Sequence, residues 1–227
     1  MEDETEKDSS TAIAIATEKA ISFIEKVVAN PLIEATGVLT DKVKFWRFQN
    51  QVKIILRAKE FLLNKGIKVP KKVPIKDLTT LLEYASLEDE EEMQDNWAHL
   101  LGEAMNPTNS FNTSMMLSQI LSQISLNEIK ILSYLSESSF IITESDRTYH
   151  NKHVLIQASN TTYTIGQLLI ENLERLRLIE GEPPKLKDQY TGMYISDDGE
   201  NDINEIIVGD SYRLSHLGSE LMKKIKS

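Results

Sequence analysis

The chain has 227 residues, of which 41% are hydrophobic and 26% are charged, and its formal net charge at pH 7 is −10. This length and apolar content allow one large domain or two small ones, each with a hydrophobic core. The negative charge argues against attraction of the whole surface to nucleic acid or an anionic membrane, but it leaves room for a local basic patch. The absence of cysteine excludes disulfides, thiolate metal sites and cysteine nucleophiles.

The first ten residues, MEDETEKDSS, are acidic and polar, which predicts a disordered tail over residues 1–10. They lack the positive start and apolar core of a secretory signal. No segment of the sequence reaches the ~20 apolar residues of a membrane span. Together with the missing cysteines, these features lead us to expect a cytoplasmic protein with no membrane span.

Residues 11–125 predict a helical domain. Apolar residues recur at helical spacing from Thr11 until Asn30-Pro31, where the proline disfavours helix in the residue before it. A second helix is predicted from Asp41 to about Asn64, with Gly66 as its stop signal. Further helices are expected over about residues 77–85, 86–106 and 110–124, and Ser86 is expected to cap the second of these. Its predicted apolar face carries Met93, Trp97, Leu100, Leu101 and Ala104.

The helix predicted over residues 41–64 carries two apolar strips. One contains Phe45, Phe48, Val52, Ile55, Leu56, Leu62 and Leu63, and the other contains Val43, Ile54 and Phe61. A single helix cannot easily bury both strips in a small bundle by itself, and exposed apolar patches usually mark interfaces. We therefore predict a homodimer built mainly through the N-terminal helical region; the rival interpretation is a monomer.

From Ser125 onwards the sequence gains glycine, threonine, tyrosine and β-branched residues, and Ser125-x-x-Glu128 is a capping box that starts a helix. Extended pieces are then expected at 140–143 and 153–158, short helices at 165–169 and 173–178, a hairpin that turns at 197–199, and a last helix at 216–226 capped by Ser215. This order predicts a winged-helix-like α+β domain over residues 126–227. The fold class is therefore mainly α, with a helical N-terminal domain followed by that module.

The predicted module has few features of a DNA reader. Its second turn helix, expected over residues 171–178, carries two glutamates and two arginines, and its wing, residues 196–205, is strongly acidic. Because a DNA duplex presents a negative charge about every 1.7 Å, it should repel such a wing. We interpret the module as a protein-interaction or structural domain.

Charge is segregated along the helical domain. Residues 41–76 hold 11 Lys/Arg and 2 Asp/Glu, whereas residues 77–129 hold 10 Asp/Glu and no Lys/Arg. The two blocks can neutralise each other within a chain or across a dimer, or part of the basic block can stay exposed and meet phosphate or an acidic partner. The candidate interaction surface is the basic and aromatic set Lys42, Trp46, Arg47, Lys53 and Arg57, in which the tryptophan could stack on a base.

An acidic stripe forms the candidate acidic partner face. Its members, which share one side of a helix, are Glu88, Glu92, Asp95, His99 and Glu103. Helical carboxylate–histidine patterns bind metals in four-helix bundles, and a metal-dependent effector would use this stripe. Such a site needs ligands from other helices as well, and no neighbouring helix repeats the pattern, so a solvated or salt-bridged face is the simpler interpretation.

Other candidates for chemistry are weak. Asp146, His150 and His153 could ligate zinc but lack a specific signature, and the acidic segment 197–202 lacks the placement of an EF-hand loop. The sequence contains no P-loop, dinucleotide-binding glycine motif or nucleophile elbow. We predict no catalytic, cofactor-binding or metal-binding residue and expect a protein that is not an enzyme, although catalytic triads can assemble from distant positions.

Residues of the helical domain carry a resemblance to a known family. They are Phe45-Trp46-Arg47-Phe48-x-Asn50, Ala58, Gly66, Ala85-Ser86-Leu87-Glu88, Trp97, Leu100 and Leu101. With these residues the chain resembles the abortive-infection alpha family of bacterial phage-defence proteins, most strongly over about residues 31–105. The resemblance implies a role in abortive phage infection, meaning growth arrest or death of the infected cell, and it supplies no catalytic residues.

The resemblance and the residue patterns together predict a phage-defence protein that acts through protein–protein interaction, with an unknown partner of host or phage origin. The alternative is a nucleic-acid-binding regulator or sensor that uses the basic helix 41–65 or the winged-helix-like module.

Overall fold

The computed structural model describes residues 2–27, 42–109, 114–138, 148–186, 206–207 and 209–226. Within these ranges the chain is mainly helical, with nine helices, a three-stranded antiparallel sheet and a separate pair of short strands. The prediction of a mainly helical protein is confirmed. The chain divides into two compact units: unit 1 contains Met1–Leu126 and Glu220–Ser227, and unit 2 contains Asn127–Ser219.

Unit 1 is built from helices. They are α1 (Glu2–Val27), α2 (Lys42–Asn64), α3 (Ile75–Ala85), α4 (Glu91–Met105), α5 (Ser114–Leu121) and the last part of α9 (His216–Ile225). α2 packs on α4 and on α1, while α3 packs on α5. α4 provides the centre of the core, and the five residues predicted for its apolar face are all buried.

The first helix starts earlier than the composition suggests. α1 begins at Glu2, so the segment predicted to be a disordered tail is helical from that residue onwards. Acidic residues at the start of a helix interact favourably with the positive end of the helix dipole, which offsets their low hydrophobicity. Residues 28–41, which contain the predicted Asn30-Pro31 stop, lie outside the described residues.

Gly66 ends α2 as predicted. It has a φ of +72°, and its N–H donates to the carbonyl of Leu63 (2.9 Å), while the N–H of Ile67 donates to the carbonyl of Leu62 (2.9 Å). These two bonds form a Schellman motif, in which a glycine adopts the left-handed conformation without steric cost. The chain can therefore turn sharply towards α3.

The prediction that Ser86 caps the following helix is wrong. Ser86 is the C-cap of α3, and α4 begins only at Glu91, with Glu90 as its N-cap. The Ser86 hydroxyl donates to the carbonyl of Glu83 (2.7 Å), so it closes the preceding turn instead of opening the next one. A serine hydroxyl can bond to backbone on either side, and only the tertiary position of the loop decides which.

Unit 2 begins with α6 (Leu126–Ser138), which starts where the capping box predicts. It continues through β1 (His150–Asn151), α7 (Lys152–Ala158), α8 (Tyr163–Arg175), β2 (Ile179–Gly181), β3 (Lys185–Leu186), β4 (Ile206–Ile207), β5 (Ser211–Leu214) and the start of α9. The sheet order is β1-β5-β2 with both pairings antiparallel, and β3 pairs separately with β4.

Two predictions for unit 2 are wrong. Residues 153–158 are helical and not extended, because the Asn151 side chain caps α7 by accepting from the His153 N–H (2.8 Å). The two short helices expected at 165–169 and 173–178 are one continuous helix, α8. The predicted extended piece at 140–143, the turn at 197–199 and the acidic wing at 196–205 lie outside the described residues.

The start of α9 is hydrogen-bonded to the residues that directly follow α8. As predicted, Ser215 caps α9: its hydroxyl accepts from the N–H of Gly218 (2.9 Å) and donates to the carbonyl of Arg177 (2.6 Å). A Cβ at Gly218 would overlap the carbonyl oxygen of Leu178. Glycine at this position therefore permits a close backbone contact that no side chain would allow.

A glycine also sets the approach of α2 to α4. A Cβ at Gly102 would overlap the ring of Phe61, which is itself buried. We expect Gly102→Ala to lower the free energy of unfolding by about 2 kcal/mol, because overpacking outweighs the gain in helix propensity. Urea unfolding followed by tryptophan fluorescence measures this, and adding Phe61→Leu should recover part of the loss. A neutral or stabilising Gly102→Ala would contradict this packing.

Candidate interaction surfaces

The basic and acidic blocks meet where α2 packs on α4. Arg57 donates to the Asp95 carboxylate (2.9 Å) and to the carbonyl of Glu91 (3.2 Å), and Lys65 donates to Glu103 (2.8 Å). Part of the charge segregation is therefore neutralised inside unit 1. The Arg57 pair is largely exposed and contributes little to stability, whereas the Lys65 pair involves a buried carboxylate.

Glu103 is the centre of a polar cluster. It is 6% exposed, and two ammonium groups reach it, from Lys65 at 2.8 Å and from Lys224 of α9 at 3.4 Å. The side-chain amides of Asn106 and Asn109 also donate to it, at 3.3 and 2.5 Å. A buried carboxylate is costly unless it is paired and hydrogen-bonded, and this one is both.

The environment of Glu103 changes its acidity. Burial alone would raise the pKa of the carboxyl, but the hydrogen bonds from Lys65 and Asn106, the charge of Lys65 and the bond from Asn109 outweigh it and hold the pKa below its ordinary value. Glu103 is therefore ionised at neutral pH and anchors the lysines around it.

The last turn of α9 is held beside the same cluster. Lys224 also donates to the side-chain oxygen of Asn109 (2.5 Å), and His99 Nδ1 donates to the carbonyl of Ile225 (2.7 Å). Leu221, Met222 and Ile225 are buried. Residues Glu220–Lys226 thus complete the core of unit 1.

The two segments that carry the family resemblance are in direct contact. Arg47 Nε donates to the Ser86 hydroxyl (2.9 Å), and the Asn50 amide donates to the carbonyls of Ser86 (3.2 Å) and Glu88 (2.8 Å). Gln94 of α4 donates to the same Glu88 carbonyl (3.0 Å). These side chains hold the loop between α3 and α4 in place. Residues that carry the family resemblance therefore stabilise the fold of unit 1.

The candidate interaction surface is only partly exposed. Trp46 is 37% exposed and Lys53 is exposed, so both can meet a partner. Arg47 and Arg57 are engaged within unit 1, by the α3–α4 loop and by Asp95 respectively. The side chain of Lys42 lies outside the described residues. Two of the four predicted cations are therefore occupied by contacts within the chain.

The candidate acidic partner face is not one continuous surface. Glu92 and Asp95 are exposed, Glu103 is buried, and the His99 ring lies against Phe61 with centroids 4.8 Å apart. Burial raises the pKa of the half-buried Glu88 carboxyl, which also accepts from the N–H groups of Asp89 and Glu90. The stripe divides because α2 and α9 cover its C-terminal half.

Among the described residues, no group of three or more histidine, aspartate or glutamate side chains is placed to hold a metal ion. His150 makes an edge contact with Tyr134 (5.3 Å between centroids), and His153 lies beside Gln157 (3.3 Å). Asp146 and the acidic segment 197–202 lie outside the described residues.

Most of the described residues in the two apolar strips of α2 are covered inside unit 1, whereas Phe45 and Leu63 are 40% and 58% exposed. Val52, Ile55 and Leu62 of one strip and Ile54 and Phe61 of the other are at most 8% exposed. They are covered because α1 and α4 pack against different sides of α2. Much of the apolar surface from which a homodimer is predicted is therefore buried within a single chain, and Phe45 and Leu63 are the parts of it that stay exposed.

An apolar surface is exposed on α8. Ile165 and Leu168, which lie one turn apart on the same side of the helix, are 48% and 60% exposed, whereas Tyr163, 53% exposed, lies on another side beside the His153 ring (6.3 Å between centroids). A groove of about 490 Å³ at the C-terminal end of the helix is lined by Glu171, Glu174, Arg175 and Arg177. This surface combines apolar side chains with balanced charge. The sequence analysis did not identify it, because two short helices were predicted where the structure has one.

Sequence reasoning also missed the cluster around Glu103. Lys224 and Asn109 lie far along the chain from α2, and no spacing rule links them to Lys65. The sequence placed Glu103 on the acidic stripe, at the edge nearer the predicted apolar face, and gave no sign that it is buried.

The family model described as abortive infection alpha matches residues 49–225. Because the match covers most of the chain, the protein belongs to this family, and the predicted resemblance is confirmed. The matched range includes α3 to α9 and most of α2, so it extends well beyond the segment in which the resemblance is strongest. The family's name supports a role in abortive infection.

No curated protein and no solved structure matches the chain. In the part of the chain that the structure describes, none of the helices combines the length and the apolar character needed to cross a membrane.

Glu103→Gln tests the polar cluster. The substitution removes the charge that pairs with Lys65 and Lys224, and we expect the free energy of unfolding at pH 7 to fall by about 2 kcal/mol. Glu92→Gln is the matched control, because it makes the same chemical change at an exposed site on the same helix. Equal stability losses in the two variants would contradict the role of Glu103.

The stability difference between wild type and Glu103→Gln should also depend on pH. A carboxyl whose pKa is lowered by folding stabilises the protein above its unfolded pKa of about 4.3, and that contribution is lost as the pH falls through the lower folded value. The difference in the free energy of unfolding between wild type and Glu103→Gln, measured by urea titration, should therefore shrink below about pH 4. An advantage that stays constant down to pH 3 would show that the charge is not the cause.

Proposed function

We propose that this protein acts in abortive infection as a non-enzymatic interaction protein, and that unit 2 is a winged-helix-like module whose α8 face binds a protein partner. The family assignment supports the defence role. The exposed apolar face of α8 is the observation on which the rest depends.

The topology of unit 2 supports the winged-helix interpretation. Its order is helix, strand, helix, helix, strand, strand pair, strand, and the final strand β5 lies between β1 and β2. A winged helix has this order, with the third helix as the recognition element and the hairpin as the wing. In this proposal α8 corresponds to the recognition helix, and β3 and β4 correspond to the base of the wing.

The surface of α8 favours a protein over DNA. A helix that enters a DNA groove needs cations and hydrogen-bonding side chains at base edges and phosphates. α8 instead exposes Ile165 and Leu168 together with Glu171, Glu174 and Arg175, so its exposed side carries no net positive charge. Exposed apolar side chains gain energy when a partner covers them, whereas the glutamates repel phosphate.

The described titratable groups support a role without catalysis. The pKa of Glu103 is lowered by Lys65 and the asparagines around it, and the pKa of Glu88 is raised by its burial in the loop between α3 and α4. Burial also raises the pKa of Tyr212, with Glu174 adding in the same direction. Each shift has a local structural cause, and we propose no catalytic residue.

The α8 face is tested by Leu168→Lys with Leu63→Lys as the matched control, since these leucines are 60% and 58% exposed on different helices. We expect Leu168→Lys to abolish protection in a phage plaque assay and Leu63→Lys to retain it, because a lysine desolvated in an apolar contact is costly. Circular dichroism melting checks that both variants fold. Protection unchanged in Leu168→Lys would reject the α8 face.

The alternative function, nucleic-acid binding through Trp46 and Lys53, is favoured by the exposure of these two side chains. Binding through phosphate contacts strengthens as salt falls, so a mobility-shift assay at about 50 mM salt gives it the best chance. We expect no retardation of DNA or RNA. Retardation that is lost in a Trp46→Ala, Lys53→Ala variant would favour the alternative.

A further inference from the structure

The outer face of α3 carries charges of opposite sign at its two ends. Lys76 lies in the first turn, Glu83 lies in the last turn and Thr79 lies between them, and all three are exposed. Their spacing of three and four residues places them on one face of the helix. The opposite face holds Leu78, Leu81 and Ala85, which are buried. α3 is therefore anchored on one side and open on the other.

This order of charges opposes the dipole of α3 itself. A cation near the N-terminus and an anion near the C-terminus are each unfavourable, because they lie beside the helix-dipole end of the same sign. Asp77 in the first turn offsets part of this, but the N-cap Pro74 makes no side-chain capping bond. An antiparallel neighbouring helix of the same sequence would reverse the penalty, because it would bring an anion to each N-terminus and a cation to each C-terminus.

We propose that α3 is the contact through which two copies of this chain form a two-fold dimer, with the two α3 helices antiparallel. If the two-fold axis passes between Thr79 and Thr80, Lys76 of each copy faces Glu83 of the other. Lys76 and Glu83 are seven positions apart, which is about 10 Å along the helix, so both ion pairs form in the same register. The interface is isologous, as two-fold symmetry requires.

The centre of this face allows close approach. The Thr79 hydroxyl donates to the carbonyls of Ile75 (2.9 Å) and Lys76 (3.1 Å), so it needs no partner from outside. Arg47 donates to the backbone carbonyl of Glu83 (3.5 Å), and the Glu83 residue stays exposed. The midpoint therefore offers a small uncharged surface between two charged ends.

The loops at both ends of α3 extend the contact. Lys72 precedes α3 and Leu87 follows it, and an antiparallel pair of helices brings the start of each near the end of the other; both residues are exposed, Leu87 at 57%. The aliphatic stem of a lysine can cover such a leucine while its ammonium group stays in water. Stable interfaces bury at least about 1,200 Å², so a contact built on one short helix and two loops gives a weak, salt-sensitive dimer.

The dimer is independent of the proposed function, which concerns α8 in unit 2. Charge reversal tests it in the full chain. Sedimentation should show wild type moving from 25.8 kDa to twice that mass as its concentration rises. Lys76→Glu alone and Glu83→Lys alone should each weaken dimerisation at least ~10-fold, because each places like charges opposite each other twice. Their equimolar mixture should dimerise as wild type does, since every opposed pair is again of opposite charge.

Lys53→Glu is the matched control, because it makes the same reversal at an exposed lysine on α2 and should leave the dimer intact. The absence of cysteine from the chain permits a second measurement. Thr79→Cys places one thiol beside the two-fold axis and should form a disulfide-linked dimer under mild oxidation, whereas Lys53→Cys should not.

Three outcomes of the sedimentation measurements would overturn the proposal. They are a wild-type mass of 25.8 kDa at every concentration and salt, single reversals that dimerise as wild type does, or a mixture that stays monomeric although both variants fold. Equal cross-linking of the two cysteine variants would likewise reject α3 as the contact.

Discussion

The packing of α2 on α4 is the contact on which the rest of unit 1 depends. Phe61 lies where Gly102 leaves no side chain, and this close approach brings Lys65 to Glu103 and Arg57 to Asp95. Because α4 is buried from Met93 to Met105 except at Asp95 and the half-buried His99, its polar residues cannot rely on water. The Gln94 amide N–H and the Glu103 carboxylate find partners on neighbouring elements, and the partners of Glu103 determine which of the nearby lysines remain free of contacts within unit 1.

Polar side chains fix position in unit 1 more than they present a surface. Asn50 and Gln94 share the carbonyl of Glu88, and Arg47 donates to Ser86, so the loop after α3 is hydrogen-bonded to both α2 and α4. Glu103 performs the same task for the end of α9 through Lys224. A buried polar group that is left unpaired costs more than a pair contributes, so such networks specify a single arrangement.

In unit 2, hydrogen bonds to the backbone and one close backbone contact hold the end of α8 in place. Arg177 has a φ of +58°, a left-handed conformation that glycine adopts more easily, and its carbonyl accepts from Ser215. The N–H of Ser215 donates to the carbonyl of Leu178 (3.0 Å), and Gly218 permits the same approach. These contacts fix α8 relative to the sheet and leave the face with Ile165 and Leu168 exposed.

The sequence by itself determined the features that depend on local chemistry. Helical periodicity predicted α2, α4 and α9, Gly66 predicted the end of α2, and Ser215 predicted the cap of α9, because each acts on residues within one turn. The family followed from short motifs for the same reason. Local signals were misleading where a side chain can bond to the backbone on either side of it. Ser86 closes α3 although it was expected to start the next helix, and Asn151 caps a helix where a strand was expected.

Only the tertiary structure decided which charges are exposed and which surfaces are covered. Lys53 and Arg57 lie one turn apart on α2, yet one is exposed and the other pairs with Asp95. Glu92 and Glu103 share the predicted acidic stripe, yet one faces water and the other is buried beneath lysines from α2 and α9. The burial of a side chain depends on elements that are distant in sequence, and periodicity within one helix carries no information about which neighbour will cover it.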